Sequence, residues 1–246
     1  MEPTPVMRQQ RAHRSVRQYT GEPIKPALLD EILRSGQAAA SSSFIQAYSV
    51  IRVTAPESRR IIAAAAGGQA WIERAAEFLV FCADLRRLDA ACRHARLGAL
   101  EGYTEHALAA VVDVALFAQN VLLAAESAGL GGVMIGGIRN DPGVVVERLA
   151  LPDLVVPVFG MCLGWPAAAP EIKPRLPLEL VLHQDRYRDP AEAELAAYDL
   201  TMADYYRTRT DNNKLTDWRN TVAKALQGKK REHMLGFLRD HGFCRR

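Results

Sequence analysis

The chain has 246 residues, of which 49% are hydrophobic and 24% charged, so it is long enough to bury a substantial core and has the proportions of an ordinary globular protein. Its net charge of +3 is modest, and Cys82, Cys92, Cys162 and Cys244 form no C-x-x-C pair and no Cys/His spacing suited to zinc. This argues against a disulfide scaffold or structural metal and for a reduced, cytoplasmic protein; the first ten residues carry no apolar run that would read as a secretory signal.

Taken in order, Arg11 to Arg17 packs three arginines, His13 and Ser15 into seven residues, able to offer guanidinium forks and a hydroxyl to a phosphate whether it runs extended or as a helical turn. Ala27 to Ala40 has helical apolar spacing and runs into the loop Ser41-Ser42-Ser43-Phe44. Ala47 to Val53 is strand-like, and Pro56 to Ala66 is a helix stopped by Gly67-Gly68, followed by Gln69 and Trp71. Glu77 to Ala83 is an apolar run expected to be a buried strand, and residues 84–103 are mixed loop and short helix. Thr104 to Ala128 is apolar on almost every face, which predicts a helix buried on several sides rather than a membrane span, because Asp113, Gln119, Asn120, Glu126 and Ser127 interrupt it.

That helix should end at Gly129 in a positive-φ cap, before a short buried strand closed by Gly136-Gly137. Arg139 and the helix start Asn140-Asp141-Pro142 follow, a combination that suits an anion or a tightly packed turn. The spacing matches neither a dinucleotide fingerprint nor a Walker loop. Pro142 to Ala150 is a short helix, and Val155 to Trp165 a buried strand whose Pro157 is expected at an edge or start. Lys173-Pro174-Arg175 should be extended, with both cations on a similar side. Ala193 to Tyr206 and Glu232 to Asp240 are helical, and Arg209 and Lys214 bracket the turn Asp211-Asn212-Asn213. From Asp204 to Arg246 there are eleven Lys or Arg against five Asp or Glu. A nucleic-acid role for that excess is disfavoured, since no accompanying helix-turn-helix, zinc or aromatic-platform motif is present.

In their order and spacing, His13 to Arg17, Ser41 to Phe44, Gly67 to Gln69, Ala76 to Phe78 with Phe81 to Asp84, Ala118 to Asn120 with Ala124 to Ser127, Gly129 to Gly132, Ile135 to Gly137, Cys162 to Pro166 and Lys173 to Pro177 resemble the oxygen-insensitive NADPH nitroreductases and NADPH-flavin oxidoreductases, over nearly the whole chain. The resemblance implies an α+β nitroreductase-like fold, a mostly antiparallel sheet packed by helices in an interlocked homodimer. Residues 1–246 would form one FMN-binding domain with a basic C-terminal helical region, 190–246. It implies FMN contacts from His13, Arg14, Ser15, Arg17, Ser41, Gln69, Met134, Ile135, Gly136, Gly137, Lys173 and Arg175. NADPH or substrate contacts would come from Ser43, Phe44, Arg209, Lys214 and Arg231. The implied reaction is a ping-pong, two-electron reduction of nitroarenes, quinones or free flavin by NADPH through FMN, with no catalytic side chain and no metal. Relatives often carry tyrosine where this chain has Met134, and arginine where it has Lys214; residues 85–103 also differ. A flavin-binding sensor or carrier without turnover would present the same residues and is the alternative.

Overall fold

A computed structural model describes residues 2–228 and 230–246, which pack as two compact units: Met1–Ala168 with Arg231–Arg246, and Ala169–Lys230. The basic region 190–246 is thus divided, its last helix belonging with the first unit.

The first unit is built on four antiparallel strands, β1 (Tyr48–Arg52), β2 (Glu77–Asp84), β3 (Gly131–Ile135) and β4 (Val155–Gly164), in the order β1-β2-β4-β3. Every residue of β2 is buried, because the sheet is covered on both faces. Leu79, Phe81 and Ala83 join one core with α2 (Pro26–Gln37) and α6 (Thr104–Ser127), whereas Phe78, Val80 and Cys82 join another with α3 (Pro56–Ala65), α4 (Trp71–Arg74) and α7 (Pro142–Arg148). Two-sided burial is what makes the strand's sequence continuous rather than alternating. Pro157 is not at an edge: β4 is a central strand. The ladder shifts between Phe81–Phe159 and Cys82–Pro157, leaving Val158 as the extra residue of a bulge, where a residue without an N–H costs the ladder little.

Helix α6 is the spine of this unit and crosses α2 closely, since a Cβ on Gly36 would lie 2.4 Å from Val121 and 2.7 Å from Phe117. By length and composition it could cross a membrane, with mean hydropathy 2.0, yet Ala110, Val114, Phe117, Ala118 and Val121 are core residues. The sequence predicts burial on several sides, and on this chain one side stays open: Leu108, Val111, Val112 and Leu116 form an exposed stripe at helical spacing. Gly129 ends the helix at φ 86°, in the left-handed region where glycine carries no Cβ penalty.

α1 (Pro5–Arg11) carried no sequence signal; it starts at Thr4, whose hydroxyl accepts the Met7 N–H at 3.3 Å. The short helix expected within residues 84–103 is α5 (Arg86–His94). The short α10 (Met234–Asp240) leads to Phe243, 1% exposed in the core, and the last residues pin the start of α6 through the Thr104 N–H to the Arg246 carbonyl at 2.9 Å.

The second unit contains α8 (Glu192–Thr208) and α9 (Trp218–Gly228), packed through Tyr198, Met202, Tyr206 and Trp218. The Arg219 side chain joins them by bonding Asp199 and Glu192.

Candidate functional site

In the first unit, the stretch after α1 runs extended beside β3. Ser15 bridges Gly132 in parallel, and the Val16 N–H donates to the Gly132 carbonyl at 3.0 Å. Close approach demands the glycines: a Cβ on Gly131 would lie 2.5 Å from the Val16 side chain, and one on Gly164 would lie 2.7 Å from the Tyr19 ring. The basic cluster His13 to Arg17 is thereby fixed to the sheet rather than frayed. His13 Nδ1 lies 2.6 Å from the largely buried Glu126 carboxylate of α6, and the Arg17 guanidinium lies 5.7 Å from the Trp71 ring centroid. Arg17 is exposed and makes no ion pair among the described residues, so its charge is open to an anionic group. Trp71 Nε1 beside it is buried without a hydrogen-bond partner among the described residues, so this corner can receive a further acceptor group.

The turn after β3 brings three segments together. Gly137 packs against the end of α3, where a Cβ would fall 2.4 Å from the Ala66 carbonyl and 2.2 Å from Gln69 Nε2; that same amide donates to Ala66 at 2.8 Å. Gly67 and Gly68, at φ 88° and 75°, turn the chain so that Gln69 reaches this place. The segment that approaches Gly137 therefore belongs to the chain itself. Ile135 is fully buried, whereas Met134 is the exposed residue of its strand. Arg139 donates to the Val158 carbonyl offered by the bulge, and burial, then the nearby Arg231, holds its guanidinium below the usual arginine range. Arg231 Nε and Nη2 donate to Asn140 Oδ1 at 3.1 and 2.9 Å, and His233 Nε2 lies 3.1 Å from the Arg139 carbonyl. The sequence marks Asn140 only as part of a helix start and gives no sign that it orients Arg231.

The 41–47 loop hangs on one carboxylate. Asp113, fully buried on α6, accepts the Ser41 hydroxyl at 2.6 Å and the Ser42 and Ala47 N–H groups at 3.0 Å each. The Ser41 oxygen accepts the Gln46 N–H at 2.7 Å, so toward any ligand it retains only acceptor capacity. Ser43 and Phe44 are left-handed, at φ 46° and 58°, and Phe44 is 80% exposed.

In the second unit, Tyr198 donates its hydroxyl to the Pro174 carbonyl at 3.0 Å, fastening Lys173-Pro174-Arg175 to α8. Lys173 Nζ lies 5.3 Å from the Tyr206 ring centroid, and the Arg209 guanidinium 5.1 Å from the same ring. Arg209 Nε donates to the Asn212 carbonyl at 3.1 Å, and the Lys214 N–H donates to the Tyr206 carbonyl at 3.0 Å. Neither Lys173, Arg175 nor Arg209 makes an ion pair among the described residues, which leaves three cations to meet anionic groups.

Residues 11–165 match the model of the nitroreductase family and residues 173–246 that of the nitroreductase family C-terminal domain. The chain is 45% identical over 237 residues to the NADPH-flavin oxidoreductase of Vibrio harveyi, covering 96% of both chains. It is 44% identical to the oxygen-insensitive NADPH nitroreductase of Salmonella typhimurium, covering 95% of this chain and 96% of that one. Among solved structures, the NADPH:FMN oxidoreductase of Vibrio harveyi complexed with NAD+ superposes with a TM-score of 0.90 at 41% identity, covering 99% of this chain and 100% of that one. The chain belongs to the nitroreductase family.

Proposed function

We propose that this chain is an FMN-dependent oxidoreductase that draws reducing equivalents from NADPH and delivers them to nitroaromatics, quinones or flavins. The supporting observation is the set of cations, Arg17, Lys173, Arg175 and Arg209, that make no ion pair among the described residues. FMN and NADPH each carry the phosphates such groups recognise. Relatives of this likeness, 44–45% identical over almost the whole chain, bear the names of reductases, so the carrier or sensor reading loses its footing.

In this reading His13, Arg14, Ser15 and Arg17 are the first unit's contacts to the phosphate and polar edge of FMN. Lys173 and Arg175 are the second unit's own contacts to an FMN phosphate. The Ser41 oxygen accepts from a donor group of the cofactor, while Gln69 and the backbone from Met134 to Gly137 lie along the ring. Bound FMN supplies two-electron hydride chemistry, used alternately by NADPH and acceptor; the protein contributes binding, orientation and fixed charge. Trp71 Nε1 is an unused buried donor beside Arg17, and it suits an oxygen-rich cofactor. Ser43, Phe44, Arg209, Lys214 and Arg231 handle NADPH and substrate.

The exposed stripe Leu108, Val111, Val112 and Leu116 on α6 is the face by which two copies pair as a homodimer. Four free cysteines, two of them buried, suit the reducing cytoplasm. The deciding experiment is a purification followed by an acceptor panel at fixed NADPH. A yellow protein with one FMN per subunit that oxidises NADPH with a nitroarene or quinone is expected. A colourless protein that takes up no added FMN would overturn the proposal.

A further inference from the structure

The Lys173 and Arg209 side chains, assigned above to different ligands, meet at one aromatic residue. Tyr206 is 4% exposed in the core between α8 and α9, with Lys173 Nζ 5.3 Å and Arg209 Cζ 5.1 Å from its ring centroid. Its carbonyl accepts the Lys214 N–H at 3.0 Å, so the third basic residue of this region is tied to it as well. A second tie holds the two stretches together: Glu171 Oε1 accepts the Thr210 N–H at 2.7 Å and the Thr210 hydroxyl. The 171–175 stretch and the 209–214 turn are therefore clipped side by side on the C-terminal end of α8.

From this arrangement we infer that Tyr206 is a positioning residue whose ring fixes Lys173 and Arg209 at once, coupling retention of FMN to the choice of NADPH over NADH. The inference rests on the FMN role of Lys173 and the NADPH role of Arg209. Its physical basis is that a buried ring attracts a cation through its quadrupole and restricts a long side chain that would otherwise sample many rotamers. Ordering the cations before the ligand arrives lessens the entropy lost on binding. Neither Lys173 nor Arg209 makes an ion pair among the described residues: Glu171, whose carboxyl is held low by its bonds to Thr210 and more weakly by the Arg209 charge, spends its hydrogen bonds on Thr210 and leaves the donors of both cations to a phosphate.

The test compares Tyr206→Phe, Tyr206→Leu and a series of phenylalanines at 206 carrying one, two or three ring fluorines, which keep the shape while draining the ring's negative face. Two readouts are taken on the FMN-loaded protein: the rate of FMN release on dilution, followed by flavin fluorescence, and the ratio of kcat/KM for NADPH to that for NADH. Tyr206→Phe should leave both within about twofold of the parent. Tyr206→Leu should speed FMN release and lower the ratio by roughly 2- to 30-fold each, with the fluorinated series stepping between these limits. A flat fluorinated series, or movement of one readout without the other, overturns the inference even if Tyr206→Leu fails to fold. Lys173→Ala and Arg209→Ala separate the levels. If Arg209→Ala leaves the NADPH to NADH ratio unchanged, or Lys173→Ala leaves FMN release unchanged, the assignment beneath the inference has failed. If both act as assigned and the series is flat, only the role of Tyr206 falls.

Discussion

Asp113, with no solvent exposure, accepts the Ser41 hydroxyl at 2.6 Å and so fastens a loop with three left-handed residues, Ser43, Phe44 and Gln46, to the middle of α6. A buried carboxylate in an apolar helix is costly unless its lone pairs are filled, and here two N–H groups and a hydroxyl fill them. The same bonds offset the strain of the left-handed residues.

Replacing Asp113 by Asn would leave one donor facing another, because an amide offers a single acceptor atom. With each unsatisfied buried donor costing about 1–3 kcal/mol, Asp113→Asn should destabilise the first unit by about 2–4 kcal/mol in urea unfolding and expose the 42–46 loop to limited proteolysis. An unchanged denaturation midpoint with an intact loop would show that the carboxylate does not hold it.

That latch also marks where the sequence could be read and where it could not. The continuous apolar run of β2, the glycine cap at Gly129 and the proline-led start of α7 are local signals, and each element formed where its signal lay. Helices α1 and α9 bury no residue fully, so no apolar stripe announced them. Pro157 misleads because a bulge is a property of two strands, and only the partner's register reveals it. Among candidate site residues, the extended run Ser15 to Arg17 owes its place to glycines far along the chain, Gly131 against Val16 and Gly132 bridged to Ser15. Asp113 is visible in the sequence as an interruption of the apolar helix, which is the clue that a partner must exist; Tyr206 gives no such clue.

Arg175 belongs to the extended stretch that Tyr198 fastens through Pro174, and no ion pair among the described residues engages it. A charge-assisted contact to a phosphate is worth about 1.5–3 kcal/mol, so Arg175→Ala should weaken FMN binding roughly 10- to 150-fold and release flavin during gel filtration. Retention of full flavin content would remove Arg175 from the phosphate site.

Leu116 is 42% exposed on a single chain, so an aspartate there is harmless to the fold of one subunit and harmful only where a second copy covers it. Leu116→Asp should weaken association by on the order of 100-fold or more and reduce FMN content with it. Sedimentation at falling concentration checks this. A variant that sediments like the parent would remove this face from the proposed homodimer.

Burial pushes the thiols of Cys82 and Cys162 up to about 12 from an ordinary 9.0. The folded state therefore holds these protons where the unfolded chain has lost them. Their contribution to stability is complete below pH 9 and is lost as pH climbs from about 9 toward about 12. At pH 8 a thiol reagent should modify the partly exposed Cys92 and Cys244 and reach Cys82 and Cys162 only on unfolding. Four thiols reacting at one rate in the native protein would contradict this.

The choice of NADPH over NADH depends on a 2′-phosphate, and the side chain best prepared for it is Arg209. Its guanidinium lies 5.1 Å from the Tyr206 ring and 5.8 Å from the Tyr205 ring, and Nε donates to the Asn212 carbonyl at 3.1 Å. Asn212 supplies that carbonyl from a left-handed conformation, φ 58°, which asparagine tolerates better than most residues. A planar fork held on two sides loses little entropy when it meets a phosphate, whereas Lys214 contributes a point charge on a flexible stem. Removing Arg209 should consequently cost most of the discrimination and leave the lysine's weaker share. At about 1.5–3 kcal/mol for one charge-assisted contact, Arg209→Ala should lower kcat/KM for NADPH roughly 10- to 150-fold with little change for NADH. Steady-state kinetics with both nucleotides decides it, and equal losses would mean that Arg209 reads something the two share.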